Sequence, residues 1–225
     1  MLKRLLPARS CVLCARPDRG HGICDACIQQ LPAITQACPV CGIQQRHDWP
    51  CGDCLSAPPD YDRCIAALDY CYPVNRLVQL AKYHGRLDVL TFLSSQLVPR
   101  LRQLETLPDG LIPVPLHPRR HCWRGYNQAE LIATRLSRDL NIPCFNQTLR
   151  RARAPKEQAA LQPRQRQHNV KGAFHLRALP ARDYVAVIDD VVTTGATGNE
   201  IARLLKQAGV RRVEIWSLAR AAQLL

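Results

Sequence analysis

Aromatic residues are scarce: three Trp, six Tyr and three Phe make up 5% of the 225 residues. That leaves little material for a broad base-stacking platform. No apolar run approaches the roughly 20 residues that a bilayer-spanning helix needs. The basic start, Met1 to Ser10, has no apolar stretch long enough for a secretory signal. No G-x-x-x-x-G-K-[ST] stretch occurs, which excludes a P-loop nucleotidase. Acidic charge is also in deficit, with 18 Asp and Glu against 31 Lys and Arg and a formal net charge of +13. The excess is concentrated, because residues 111–182 hold fourteen Lys or Arg against three Asp or Glu. Such a block suits a polyanionic partner (a pyrophosphate, nucleotide or nucleic acid), and the plainer alternative is a face of scattered, solvated arginines. The expected location is the cytoplasm, with no membrane span.

Cysteine is abundant, with 12 residues. In a reducing compartment this points to metal or thiol chemistry rather than disulfides. Eight of them form four CxxC pairs: Cys11/Cys14, Cys24/Cys27, Cys38/Cys41 and Cys51/Cys54. Each pair can aim two thiolates at one ion from a tight turn, and two pairs complete a tetrahedral sulfur site suited to zinc. Two structural Zn²⁺ ions are expected, and four thiolates per ion leave no open position for a catalytic water. The short gaps favour sequential pairing, 11/14/24/27 and 38/41/51/54, over an interleaved cross-brace. A module of residues 1–58 with few large apolar side chains depends on such metal to fold. Ala57-Pro58-Pro59-Asp60 reads as its linker, and residues 59–225 suffice for one α/β domain. Cys64, Cys71, Cys122 and Cys144 lack ligand spacing and read as ordinary thiols.

Beyond Tyr61, strand-like and helix-like segments alternate. Cys64–Leu68 with Asp69–Tyr72 reads as a strand or hairpin. Val74–Tyr83 reads as a helix with apolar residues at 74, 77, 78 and 81, and a second helix follows over about 86–103. Leu111–Pro115 is a short buried strand, and Asn127 opens a helix carrying Leu131, Ile132, Leu136 and Leu140. Residues 150–172 are polar and aperiodic and read as a loop. Tyr184–Ile188 has the continuous apolar character of a central parallel strand, a helix follows over about 198–207, and Val213–Leu218 closes as another strand. The alternation predicts an α/β fold with a mostly parallel sheet and flanking helices.

The most informative stretch is Val187-Ile188-Asp189-Asp190-Val191-Val192-Thr193-Thr194-Gly195-Ala196-Thr197. An apolar strand delivers two acids at its C-terminal edge, where α/β folds bind ligands. A turn and a helix N-terminus follow, whose N–H groups can cradle a phosphate. Gly195 permits close backbone approach, and Thr193, Thr194 and Thr197 add hydroxyl donors. Asp189 and Asp190 can accept hydrogen bonds from vicinal ribose hydroxyls, with Mg²⁺ nearby. Arg119 and Arg120, after the 111–115 strand, suit a diphosphate. Arg151, Arg153 and Lys156 lie where a loop can close over the site and supply cations to a leaving group. Lys82, just before Gly85, is a further candidate for reaching it.

The stretch from Asp189 to Thr197 resembles the phosphoribosyl-pyrophosphate (PRPP) signature of type I phosphoribosyltransferases. Taken with the CxxC series, Ala81-Lys82-Tyr83-His84-Gly85-Arg86, Pro113-Val114-Pro115-Leu116, Arg124-Gly125-Tyr126-Asn127-Gln128-Ala129-Glu130 and Asn169-Val170-Lys171-Gly172-Ala173-Phe174, nearly the whole chain resembles the ComF/GntX family of competence and DNA-utilisation proteins. The resemblance implies a type I phosphoribosyltransferase-like domain behind a double zinc ribbon. It also implies PRPP with Mg²⁺ as ligand, and a role in handling imported single-stranded DNA beside a DNA-uptake protein partner. One departure stands out: Arg151-Ala152-Arg153 is followed by Ala154-Pro155, where the family pattern has Thr. Three functions fit: a phosphoribosyltransferase, a non-catalytic protein that binds PRPP or DNA, and a transcription-factor-like zinc protein. The last ranks lowest, because no basic recognition helix accompanies the CxxC pairs.

Overall fold

The computed structural model describes residues 10–18, 20–116, 125–151, 170–178 and 181–222. In chain order its elements are α1 (Asp25–Ile28), α2 (Gly52–Ser56), β1 (Arg63–Asp69), α3 (Val74–Tyr83), α4 (Leu87–Leu101), β2 (Gly110–Pro113), α5 (Gln128–Leu140), β3 (Leu149–Arg151), β4 (Phe174–Leu176), β5 (Tyr184–Val192), α6 (Ala196–Gln207) and β6 (Arg212–Arg220). β1, β6, β5 and β2 form one sheet in that order, and every neighbouring pair is parallel. β3 and β4 make a separate antiparallel pair.

The sheet is covered on both faces, which explains the apolar run in β5: Val185, Ala186, Val187 and Ile188 are fully buried. One face packs α3, α4 and α5 through Leu77, Leu93 and Leu136. The other packs α6 and the β3–β4 pair through Ile201, Leu205 and Phe174 against Val187 and Ile215. Each such aliphatic side chain contributes about 1.5–3 kcal/mol by leaving water. Ile23, Cys11 and Cys24 join the first of these cores, so the N-terminal cysteine region is continuous with the packing of α3 and α4.

The α/β class and the parallel sheet are as the sequence predicts, and three details differ. β1 ends at Asp69 and pairs in parallel with β6, so residues 69–72 form no hairpin. α6 begins at Ala196 rather than near Gly198, because Gly195 takes a left-handed backbone conformation (φ +78°) that turns the chain straight from the strand into the helix. Within the expected 150–172 loop, Arg150 and Arg151 belong to β3, a three-residue strand too short to show periodicity. Asn127 caps α5 by accepting a hydrogen bond from the Ala129 N–H (3.1 Å), while its amide donates to the Val114 carbonyl (3.0 Å). No helix among the described residues is long and apolar enough to cross a membrane.

Candidate phosphate-binding site and metal centres

The eight paired cysteines form two clusters, Cys11/Cys14/Cys24/Cys27 and Cys38/Cys41/Cys51/Cys54, with the four sulfurs of each within 4.8 Å of one another. The pairing is therefore sequential. Tetrahedral zinc with Zn–S bonds of about 2.3 Å sets its sulfurs about 3.8 Å apart. Cys14 and Cys24 lie 3.5 Å apart and Cys41 and Cys51 3.6 Å, which fits. The sulfurs also need a cation. Burial disfavours the Cys38 thiolate, but the N–H groups of Cys41 and Cys51 point at its sulfur and lower the pKa to about 7. Cys41 beside it is pushed up to about 11, by burial first. Four such sulfurs cannot all ionise together unless a dication neutralises them, and zinc does that. Among the described residues no cysteine is in a disulfide, and Cys64, Cys71 and Cys144 join neither cluster; Cys122 lies outside the described residues.

The second constellation lies at the C-terminal end of the sheet. β5 carries Asp189 and Asp190 to its edge, and the Thr193-Thr194-Gly195 turn leads into α6. The Asp189 carboxylate accepts the Asp190 N–H (2.8 Å). The Thr194 hydroxyl accepts the Ala196 N–H (3.4 Å), and the Gly195 carbonyl accepts the Asn199 N–H (2.8 Å). Thr193, Thr194 and Thr197 remain partly exposed, so their hydroxyls can meet a ligand. Asp60, at the end of the Pro58-Pro59 stretch, clamps α6 by donating its N–H to Asn199 (2.6 Å) and accepting the Asn199 amide (2.9 Å). A cavity of about 440 Å³ adjoins the turn between Pro58, Tyr61, Lys171 and Asn199.

α3 delivers a cation to the acids. The Lys82 ammonium donates to Asp190 at 2.8 Å, with both side chains mostly buried. The Tyr126 hydroxyl donates to the Ala81 carbonyl and so fastens the end of α3 beside Lys82. Burial works against the Lys82 charge, but Asp190 outweighs it and holds the ammonium above its ordinary pKa. Asp189 behaves oppositely. Burial raises its carboxyl to about 7, the Asp190 charge adds to the rise, and Lys82 and Arg151 oppose it. Arg151 stacks over the Phe174 ring at 5.2 Å while its charge reaches Asp189.

The fold thus brings Lys82, Arg151, Asp189, Asp190, Thr193, Thr194, Gly195, Ala196 and Thr197 to one end of the sheet. Arg119, Arg120, Arg153 and Lys156 lie outside the described residues. Sequence reasoning missed three supports. Tyr126 lies in a motif that gives it no role. Tyr61 packs under the turn, with its hydroxyl 3.1 Å from where a Cβ on Gly195 would sit. Arg220, fully buried at the end of β6, donates to the Thr193 carbonyl. Neither Tyr61 nor Arg220 has any local sequence signal.

Two tetrathiolate centres ahead of a parallel sheet whose central strand ends in an acid pair and a Thr/Gly turn define the class: a double zinc ribbon joined to an α/β domain with a parallel sheet. Residues 1–55 match the family described as a double zinc ribbon domain. The chain is 37% identical over 218 residues to the DNA utilization protein YhgH of Escherichia coli (strain K12), covering 93% of this chain and 96% of that one. It is 36% identical over 212 residues to competence protein F of Haemophilus influenzae, covering 89% and 91%. The chain belongs to this competence protein F and DNA utilization protein family. Among solved structures, adenine phosphoribosyltransferase of Trypanosoma brucei, in complex with AMP, pyrophosphate and ribose-5-phosphate, is similar at 15% identity with a TM-score of 0.40, over 61% of this chain and 55% of that one.

Proposed function

We propose that this protein binds PRPP with Mg²⁺ at the C-terminal end of its sheet and takes part in the use of imported DNA. The observation that carries the reading is the acid pair Asp189–Asp190 set directly before the Thr193–Thr197 turn, with Lys82 held 2.8 Å from Asp190. The N–H groups and hydroxyls of the turn hold the 5′-phosphate, as a helix N-terminus favours an anion. Asp189 and Asp190 accept hydrogen bonds from the ribose 2′- and 3′-hydroxyls. Arg151 faces the diphosphate, and the sequence pattern assigns Arg119, Arg120 and Arg153 to the same group. Bound Mg²⁺ would neutralise the diphosphate, supported by the acid pair. If turnover occurs, a nitrogen nucleophile bonds to C1 as the C1–O bond breaks, and pyrophosphate leaves with the electron pair. The basic side chains stabilise that departing charge.

The use of DNA rests on the names carried by the relatives, DNA utilization protein and competence protein, and on the basic block of residues 111–182. Single-stranded DNA and a DNA-uptake protein are the partners this reading assigns, in the cytoplasm. Calorimetric titration of PRPP with Mg²⁺ into the wild type and Asp190→Ala tests the site. Binding that is present in the first and lost in the second supports it, and absence of binding by the zinc-loaded wild type refutes it. Gel-shift titration with single-stranded oligonucleotides across a salt series tests the DNA arm. Affinity should fall steeply with salt, and no binding at low salt would end that arm.

A further inference from the structure

The second cysteine cluster and the phosphate turn share one buried cation. Arg220 ends β6 and is 2% exposed, and among the described residues it enters no ion pair. A buried guanidinium without a counter-charge is strongly disfavoured. Its hydrogen bonds all go to backbone carbonyls. Nε donates to Cys41 (2.8 Å), and Nη1 donates to Thr193, Val192 (3.3 Å) and Ala221 (2.8 Å). Cys41 is a ligand-set cysteine of the second cluster, and Thr193 is the first residue of the turn. One side chain therefore bolts the Cys38–Cys41 knuckle to the turn.

The surrounding contacts reinforce that link. The Cys64 N–H donates to the Val40 carbonyl (2.7 Å), and a Cβ on Gly42 would lie 2.7 Å from the Cys64 carbonyl oxygen, so the knuckle sits tightly on β1. From β1 the path continues through Tyr61 to Gly195. Four thiolates around one Zn²⁺ carry a formal charge of about −2. That places an anion beside a guanidinium that has no ion pair among the described residues. Among the described residues the first cluster has no equivalent link, and Cys11 and Cys24 pack with Val89 and Leu93 on the opposite core.

We propose that Arg220 is a positioning residue that couples the second zinc site to the phosphate turn, the zinc tetrathiolate keeping the guanidinium buried and the guanidinium fixing the Thr193 carbonyl. Occupancy of the Cys38/Cys41/Cys51/Cys54 site then governs both the order of the turn and its affinity for a phosphorylated ligand. The affinity half rests on the PRPP reading above; the structural half does not.

The test uses the full-length, zinc-loaded protein, with Arg220→Gln and Arg220→Lys. Zinc release to a chelating dye after thiol modification reports the metal sites. Amide hydrogen exchange of the 193–199 segment reports the turn, and calorimetry with PRPP and Mg²⁺ reports affinity. In Arg220→Gln one of two zinc-release phases should quicken tenfold or more. The 193–199 amides should exchange at least tenfold faster while the segment around Cys11–Cys27 is unchanged, and PRPP affinity should fall at least tenfold. Cys51→Ser, which removes one of the second site's four ligands, should reproduce the faster exchange. Arg220→Lys keeps the charge but cannot reach all four carbonyls, so it should fall between; it decides the matter if Arg220→Gln does not fold. Unchanged exchange at 193–199 in the folded Arg220 variants and in Cys51→Ser overturns the coupling. Failure of the wild type to bind PRPP overturns the ligand reading instead, and the exchange and zinc data still decide the role of Arg220.

Discussion

Breaking the Lys82–Asp190 pair is the sharpest test of the site's electrostatics. Their side chains are 19% and 15% exposed, and the ammonium lies 2.8 Å from the carboxylate. At an effective dielectric of about 20 the gross Coulomb attraction is about 6 kcal/mol, most of which offsets the cost of removing both charges from water. Removing one partner is different, because the other charge stays buried without compensation. For full burial that costs about 3–5 kcal/mol, so partial exposure here suggests about 2–3 kcal/mol. Lys82→Met should be the worse single change, since it leaves Asp190 beside Asp189 without the ammonium that pairs with it. Asp190→Asn should cost about 1–2 kcal/mol, because Lys82 still senses the Asp189 charge. In the double variant both charges are gone, and its loss should be smaller than the sum of the single losses by about 1–2 kcal/mol. Urea unfolding at pH 8 with zinc present, run as a double-mutant cycle, measures this term. Additivity to within about 0.5 kcal/mol would refute the reasoning, because it would mean that solvent screens the pair.

Three further predictions concern pH, charge burial and packing. Asp189 titrates near 7 in the fold and near 3.9 when unfolded, so the native state holds a proton that the unfolded chain has released. Its contribution therefore falls as pH rises from about 4 through 7. Between pH 6 and 8 the stability of Asp189→Asn should decline less with pH than that of the wild type, and parallel denaturation curves would contradict the assignment. Glu214 is fully buried and accepts hydrogen bonds from Arg212 (2.7 Å) and the Trp216 indole (2.8 Å). Arg212→Ala should cost about 2–3 kcal/mol in chemical denaturation, discounted because Arg212 is partly exposed, whereas a loss under about 0.5 kcal/mol would show that the indole suffices. Gly198→Ala would place a Cβ 3.0 Å from the Ile215 side chain, which should lower stability by about 1–2 kcal/mol. Adding Ile215→Val should restore part of that loss, and thermal unfolding that shows no restoration would place the strain elsewhere.

Local patterns carried most of the architecture. Four CxxC pairs at short gaps announced two sulfur sites, because a chelating turn is a property of four consecutive residues. The apolar run of β5, the amphipathic spacing of α3 and the Thr/Gly turn were legible for the same reason. The start of α6 is not legible in the pattern, because the helix entry depends on a single left-handed residue, Gly195, which periodicity does not register. β3 falls at the edge of a stretch that reads as loop, because three residues are too few to show alternation, and only its pairing with β4 defines it.

By itself the sequence determined which residues can bind metal, which strand is buried and which turn can meet a phosphate, since each depends on neighbours in the chain. The tertiary structure alone decided how those pieces meet. Lys82 reaches Asp190 across 108 positions, and Arg220 reaches Cys41 across 179. Such contacts arise when a parallel sheet aligns the ends of strands that are distant in sequence. No local pattern encodes them, because the charges and carbonyls they join have no fixed spacing along the chain.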